Sequence, residues 1–532
     1  MELALSASRP IGRRILCLAL PFLATDRLHR QALGRSWLSR QERPGPLVVV
    51  ARVKGALRLA ALDRKAANLG LRAGQPLADA RAMIPGLAVA EEDAGADFLL
   101  LERLAAWAER YTPLVALDPP EGLFLDITGA AHLVGGEAAI VDDLRARLHA
   151  QGLQSAAAIA DTPGAAFAAA LFTDLSMVPS GEEQSMLAPL PLAALRLDGE
   201  TLSALERVGL KRVGQIVDAP RAPLAARFGR EMLRRLDRAL GKEEEAIDPR
   251  RPAPLLIAER NFAEPVSREE DIAATLASLA SRLEKSLEMR DEGGRVFELS
   301  LFRVDGAVAR TPLHTSRPVR QARLVLDLFR EKFAGTGLFG GDEDFDAGFG
   351  FDMIRLAVIE TAPSETVQAD LDGTAAAAGD LDQLIDRIGA RLGSGRVGRM
   401  VARDSHIPER AEAFLTVDGE ERTGDGLAFP VAEGPIDRPL RLFTQPESVE
   451  AMAAVPDGPP VWFRWRGALY RIARAEGPER IAPEWWRDTG EGFTRDYFRV
   501  EDAEGYRFWL FREGLFGGEA ENPRWYVQGI FA

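Results

Sequence analysis

LVALDPPEGLFLDITG, residues 114–129, holds two apolar runs that meet at a Pro-Pro-Glu-Gly turn. Leu123, Phe124, Leu125 and Ile127 favour extended backbone, whereas Asp118, Pro119, Pro120 and Gly122 are turn formers, so the stretch predicts two antiparallel strands on a short loop. It also carries three acids, Asp118, Glu121 and Asp126. Two-metal phosphoryl transfer needs several carboxylates converging on cations ~3.5–4 Å apart. Whether these three converge decides the chemistry.

Outward from the hairpin, Leu100, Leu101, Leu104 and Trp107 recur at helical spacing in residues 97–110, and a second helix is expected at 137–149 before a core strand at 155–160 and a helix at 163–172. Upstream, residues 13–20 read as a strand followed by a polar helix near 26–38. Strands at 47–51 and 57–62 flank a Lys54-Gly55 turn and open a small α/β insertion punctuated by Gly70, Gly74 and Pro76. This order suits an antiparallel-leaning sheet with helices packed on it, an α+β layer.

Between 189 and 241 the chain turns to short helices broken by glycine and proline. Within them RVGLKRVGQIV, residues 207–217, is similar to half of a helix-hairpin-helix, where glycines let a DNA phosphate approach backbone N–H groups; this makes Lys211 a candidate DNA contact, and a plain helix connector reads the same way. EEEAIDPRRPAP, residues 243–254, reads as a linker. A second α/β domain follows, with helices at 269–290 and about 317–333 and strands at 296–304 and 353–359. The glycine-rich acidic loop at 333–350 has no evident role. A low-complexity break at 372–379 precedes a tryptophan-rich region whose aromatic and polar residues alternate at period two, the pattern of a small β-rich domain.

At 532 residues the chain exceeds one compact core and implies about three to four domains. Hydrophobic residues at 46% and charged residues at 27% describe an ordinary folded protein. No apolar run approaches the ~18–20 residues of a membrane span, and the N-terminal arginines lie inside the apolar stretch, so a cytoplasmic location without membrane contact is expected. Cys17 is the only cysteine, which excludes an intrachain disulfide framework and cysteine-based zinc sites. The histidines, 29, 132, 149, 314 and 406, show no metal-ligand spacing. A net charge of −14 argues against non-specific coating of nucleic acid but leaves room for a local basic groove.

Residues 13–365 resemble the Y-family translesion DNA polymerases. The resemblance rests on GLFLDIT (122–128), RYTPLVALD (110–118), AANLGLRAGQPLADA (66–80) and LPLAALRL from Leu190, in that order. It implies a multidomain α+β chain: a loose N-terminus at 1–12, a palm at 13–25 and 97–180, fingers at 26–96, a helical thumb at 185–245, a linker at 246–257, an α/β little finger at 258–366, a second linker at 367–381, and a C-terminal partner-interaction region at 382–532.

The family's catalytic positions are altered. Its two first-strand aspartates fall on Ala19 and Pro21, and the Asp-Glu pair of its hairpin falls on Glu121 and Gly122. Its triphosphate-gripping tyrosine and arginine fall on Arg64 and Ala67, and its lysine falls near Gly164. Asp126 belongs to the fold. A single Glu cannot neutralise two cations or orient an in-line attack, so the resemblance implies a protein that is not an enzyme and holds no metal or cofactor. The alternative is an active DNA-directed DNA polymerase using displaced acids such as Asp26, Asp118 and Glu121.

DSHIPERA (404–411), RPLRLF (438–443) and VWFRWRGALYRIARAEGPERIAPEWWR (461–487) resemble the tail of the inactive Y-family homologues of bacterial SOS mutagenesis cassettes. That implies an adaptor in DNA-damage-induced translesion synthesis and mutagenesis. Its partners would be primer-template DNA, the sliding clamp, a RecA-like accessory protein and an error-prone C-family polymerase. The clamp peptide would use Gln368 and Leu371, with Asp372 where an aromatic would fill the clamp's pocket. DNA contact would come from Arg317, Arg320 and Arg323, whose spacing places them along one helix face, with Arg295 and Arg303 flanking a strand. Trp462, Trp465, Trp485, Trp486, Trp509 and Trp525 are candidates for base stacking, partner contact or core.

Overall fold

Five consecutive apolar residues, ILCLA, form β1 (Ile15–Ala19), and the run is uninterrupted because both faces of the strand are covered. The computed structural model describes all residues except 1–11, 42–43, 337–346, 365–373, 417–437, 440, 454–457, 488–491, 516–517, 521 and 532. After β1 come α1 (Leu23–Leu33) and an insertion of β2 (Leu47–Val53), β3 (Ala56–Leu62), α2 (Arg64–Asn68), α3 (Leu77–Met83) and β4 (Ala88–Glu91). The palm resumes with α4 (Ala94–Ala108), the hairpin β5 (Val115–Asp118) and β6 (Gly122–Asp126), α5 (Glu137–Ala150), β7 (Ala156–Ala160) and α6 (Pro163–Phe172).

The palm sheet runs β5-β6-β1-β7, with β6 and β7 both antiparallel to β1. Ile15 lies opposite Asp126, and Ala19 opposite Gly122. Alternation sorts the side chains. Leu16, Leu18, Leu123 and Leu125 pack in the cluster that includes Leu104 of α4 and Leu144 of α5. Cys17, Ala116, Phe124 and Ala158 pack toward α6 and the helices beyond it. The insertion has its own three-stranded sheet, β3-β2-β4, over a small core of Val48, Val50, Leu59, Leu71 and Leu77.

The helical thumb comprises α7 (Glu183–Leu187), α8 (Gly199–Arg207), α9 (Val213–Val217), α10 (Arg221–Phe228) and α11 (Arg230–Ala239). Alanine-rich α6 lets α11 come close: a Cβ on Gly164 would stand 3.0 Å from Ala239 Cα. The little finger follows as β8 (Leu256–Val266), α12 (Glu269–Arg290), β9 (Glu292–Arg303), β10 (Val308–Val319), α13 (Ala322–Thr336) and β11 (Phe351–Pro363), with sheet order β10-β9-β11-β8.

Sequence reasoning misses β8 and β10. β8 begins at the end of the linker expected at 246–257, just past its proline-rich stretch, and β10 carries too mixed a pattern, TPLHTSRPV, to announce a strand. The helix expected from about residue 317 starts only at Ala322, because Pro318 disfavours a helical residue before it and the ladder with β9 resumes, past a bulge, at Val319 opposite Gly294. The expected linker is pinned as well. Arg250 bonds Glu102 and lies 3.4 Å from Glu109, while Arg251 holds Glu298 at 2.6 Å.

Residues 372–532 form a second compact unit. It contains α14 (Thr374–Leu392), the pair β12 (Gly398–Ala402) and β13 (Glu412–Thr416), and a closed barrel of β14 (Arg441–Ala453), β15 (Pro460–Trp465), β16 (Ala468–Ile481), β17 (Arg495–Asp502), β18 (Arg507–Glu513) and β19 (Arg524–Ile530). The expected β-rich domain is therefore a barrel, whose closure leaves no unpaired strand edge. Phe463, Trp465, Phe498, Phe508 and Trp525 fill one cluster, and Tyr497, Trp509 and Phe511 another. No helix among the described residues is long and apolar enough to cross a membrane.

Candidate active site

The register of β1, β5 and β6 brings Ala19, Asp118 and Gly122 to one end of the palm sheet, with Gly122 opposite both of the others. All three point to the face shared by Cys17, Ala116 and Phe124. Ala19 and Gly122, where the resemblance leads one to expect an acid in each strand, bring no carboxylate. The space at Gly122 is also taken: a Cβ there would meet the backbone oxygen of Asp118 at 3.1 Å and its carboxylate at 3.2 Å.

Asp118 is bound by Arg196, whose guanidinium lies 5.3 Å from the Phe124 ring and 5.1 Å from the Phe167 ring. LPLAALRL places it there by ending in a left-handed turn at Arg196, φ 58°. A fixed side-chain cation flanked by two aromatic rings thus neutralises the acid at this end of the face; each ring contact is worth ~0.5–2 kcal/mol. Cys17 beneath them is fully buried, and burial, with Asp118 adding to it, pushes its thiol pKa up.

The other hairpin acids lie elsewhere. Glu121 falls on the opposite face by alternation, and burial, assisted by the charge of Asp97, pushes it up to about 7. Asp97 itself pairs with Arg27 at 2.5 Å. Asp126, at the far end of β6, accepts the Thr128 N–H at 3.0 Å and lies 3.4 Å from Arg13, a role in the fold. Asp26 is buried in α1. Burial raises it to about 6, although the Gln154 backbone N–H and side-chain amide donate to it at 2.7 and 2.9 Å. Asp118, Glu121 and Asp126 therefore do not converge. Among the described residues no group of three or more His, Cys, Asp or Glu is placed to hold a metal, and the donor set does not fit a two-cation centre.

The remaining expected positions are Pro21, for the second first-strand acid, and Arg64, Ala67 and Gly164, for the nucleotide grip. Pro21 lies in the turn between β1 and α1, and Arg64 opens α2 with its guanidinium 5.4 Å from the Phe22 ring. Ala67 is exposed on α2. Gly164 is pressed against Ala239, so no longer side chain fits there.

The candidate DNA contacts do not form one row. Arg317 is in β10, Arg320 follows it 3.4 Å from Asp291, and only Arg323 is on α13, where it is exposed. The helix-face expectation fails because Pro318 delays the helix. Arg295 bonds the Ser316 carbonyl, and Arg303 pairs with Asp305 at 2.8 Å. The α8–turn–α9 connection forms as expected, with Gly209 at φ 86°, and Lys211 is exposed. The N–H groups of Lys211 and Arg212 donate to the Gln215 side chain at 2.7 and 2.9 Å, which occupies the amides a phosphate would use. Gln368 and Leu371 lie outside the described residues.

Of the tail tryptophans, Trp465, Trp509 and Trp525 are core and Trp462 is half-buried. Trp485 and Trp486 are 81% and 57% exposed and stand edge to face, 5.7 Å apart. The residue before them, Glu484, is fully buried, 3.4 Å from Arg410 and 3.7 Å from Arg487.

Sequence reasoning misses two features. One is Arg196, identified only as part of a thumb motif. The other is a charged seam between palm and little finger. Arg110 meets Asp352 through two bonds, 2.6 and 3.1 Å, and Arg147 reaches the same carboxylate at 2.5 Å. Arg310 pairs with Glu109 at 2.7 Å, and Arg355 bonds both Glu259 and the Glu109 carbonyl at 2.8 Å. No local pattern marks a partner more than two hundred residues away.

Residues 38–170 match the impB/mucB/samB family. The chain is 44% identical over 475 residues to Protein ImuB of Caulobacter vibrioides strain NA1000 / CB15N, covering 87% of this chain and 100% of that protein. It is 25% identical over 297 residues to DNA polymerase IV of Alkalilimnicola ehrlichii, covering 54% of this chain and 82% of that one. Among solved structures, DinB from Sulfolobus solfataricus is aligned over 66% of this chain and 100% of its own, at 14% identity and a TM-score of 0.37. By its identity to ImuB across most of its length, the chain belongs to the ImuB family of Y-family polymerase-like proteins.

Proposed function

We propose that the protein is a non-catalytic adaptor of DNA-damage tolerance, which binds primer-template DNA and brings a sliding clamp and a RecA-like accessory protein to an error-prone C-family polymerase in the bacterial cytoplasm. The observation that carries this reading is the end of the palm sheet. Where phosphoryl transfer needs converging acids, Ala19 and Gly122 supply none and Asp118 is held by Arg196. Kinship with ImuB, and more distantly with DNA polymerase IV proteins, supports a role connected with damaged DNA.

The exposed Trp485–Trp486 pair, anchored through buried Glu484, supports the tail as a partner-binding surface, since exposed aromatics are the residues most often decisive in interfaces. A pull-down tests the assignment, with the full chain and a version ending near Ala378 each offered clamp, accessory protein and C-family polymerase. The reading expects the truncated chain to lose the last two. Retention of both by the truncated chain would refute the tail's role.

A further inference from the structure

On the palm, α1, the turn that follows it and α4 border an open cavity of about 370 Å³ lined by Arg27, Arg30, Arg35 and Arg103 together with Leu99 and Leu100. Three acids lie near these four cations: Asp97 pairs with Arg27 at 2.5 Å, Asp305 pairs with Arg35 at 2.8 Å, and the charge of Asp26 acts on Arg30 without an ion pair. Arg27 is only 8% exposed, yet its Nη2 has no hydrogen-bond partner, and Nε of Arg30 is likewise buried and unpartnered. Arg30 and Arg103 form no ion pair among the described residues, so the cavity carries an excess of positive charge that an anion would offset. Burial, together with the charges of Arg35 and Arg103, also lowers the Arg30 pKa.

The planar forks of arginine match the oxygens of phosphate, and the leucine side of the cavity offers an apolar wall for a sugar or base. The volume lies in the range of sites that hold one small ligand. We propose that this cavity binds a phosphate-bearing nucleotide unit, either free or carried on a single strand, at residues separate from the altered catalytic positions Ala19 and Gly122. The site requires neither a clamp nor a polymerase partner, so its failure and that of the adaptor reading are distinguishable.

The test uses the full chain and two fluorescent probes, a labelled ADP and a labelled 5′-phosphorylated oligothymidylate, each titrated alone and against pyrophosphate. The expected result is saturable binding of at least one probe, competed by pyrophosphate, absent for the corresponding unphosphorylated probe, and weakened tenfold or more in both Arg30→Gln and Arg103→Gln. Preference for ADP assigns the free ligand, and preference for the oligonucleotide assigns the strand. Arg103 is exposed and Arg30 is half-buried with no ion pair among the described residues, so both variants keep the parent's melting temperature. No saturable binding of either probe up to millimolar concentration, or unchanged affinity in both variants, would overturn the proposal.

Discussion

Two charged regions of the palm differ in what their charges do. At the end of β1 Ala19 and Gly122 are neutral, and the carboxylate beside them, Asp118, is tied to Arg196 between two aromatic rings. At the seam with the little finger, Arg110, at 6% side-chain exposure, and Asp352, at 9%, are buried against each other and joined by Arg147, with Arg310, Glu109 and Arg355 close by. A catalytic centre needs carboxylates left unpaired for cations; a scaffold needs charges paired to fix its parts. The seam is of the second kind, joining palm to little finger, whereas at the end of β1 the pairing of Asp118 with Arg196 only neutralises a half-buried carboxylate.

The largest expected effect breaks the seam. Asp352→Ala leaves Arg110 buried without its partner and should cost about 3–5 kcal/mol in urea unfolding of the full chain. Substituting Arg110→Met in the same chain should recover part of the loss. The acid limb carries the same signature. Burial alone would raise the Asp352 pKa, but Arg110 and Arg147 hold it below the usual carboxylate range. Its contribution is therefore complete above the unfolded carboxylate pKa of about 4 and fades as pH falls through the folded value, and Asp352→Asn should flatten that limb.

A smaller effect is expected at the other region. Arg196→Ala removes the partner of Asp118 and uncovers Phe124 and Phe167, at a cost of about 1–2 kcal/mol. If the loss matched that of Asp352→Ala, the two regions would be equally structural and the contrast between them would weaken.

Glu121 tests the opposite sign. Its folded pKa of about 7 lies above the unfolded value, so its stabilising neutral form is complete below about pH 4.5 and is lost as pH rises through 7. Relative to the parent, Glu121→Gln should gain roughly 1–2 kcal/mol between pH 5 and 8, read as a converging or crossing pair of melting curves. A parallel pair would mean that the carboxyl is already ionised and available. The smallest effect belongs to the tail: Trp485→Ala should change stability by less than about 0.5 kcal/mol, as expected of an exposed ring, while weakening partner capture.

The sequence makes the palm legible where apolar runs and turn chemistry are local. The hairpin at residues 114–129, the helices flanking it and α12 all form where spacing predicts them. The limits are equally physical. Pro318 moves the start of α13 and separates Arg317 from Arg323, which a three-residue spacing alone places together. The neutral residues Ala19, Pro21 and Gly122 are readable in the sequence, but the pairing of Asp118, which crowds Gly122, with Arg196 depends on a thumb residue remote in sequence. The proline-rich stretch near Arg250 resembles a free linker because composition does not reveal that its arginines meet Glu102, Glu109 and Glu298.

Primer extension by the purified full chain, on undamaged and lesion-bearing templates with Mg²⁺ and with Mn²⁺, tests the central claim most directly. The account predicts no nucleotide incorporation above a protein-free control with either metal. Incorporation that is abolished by Glu121→Ala would contradict it, by showing that the displaced acids assemble a working centre.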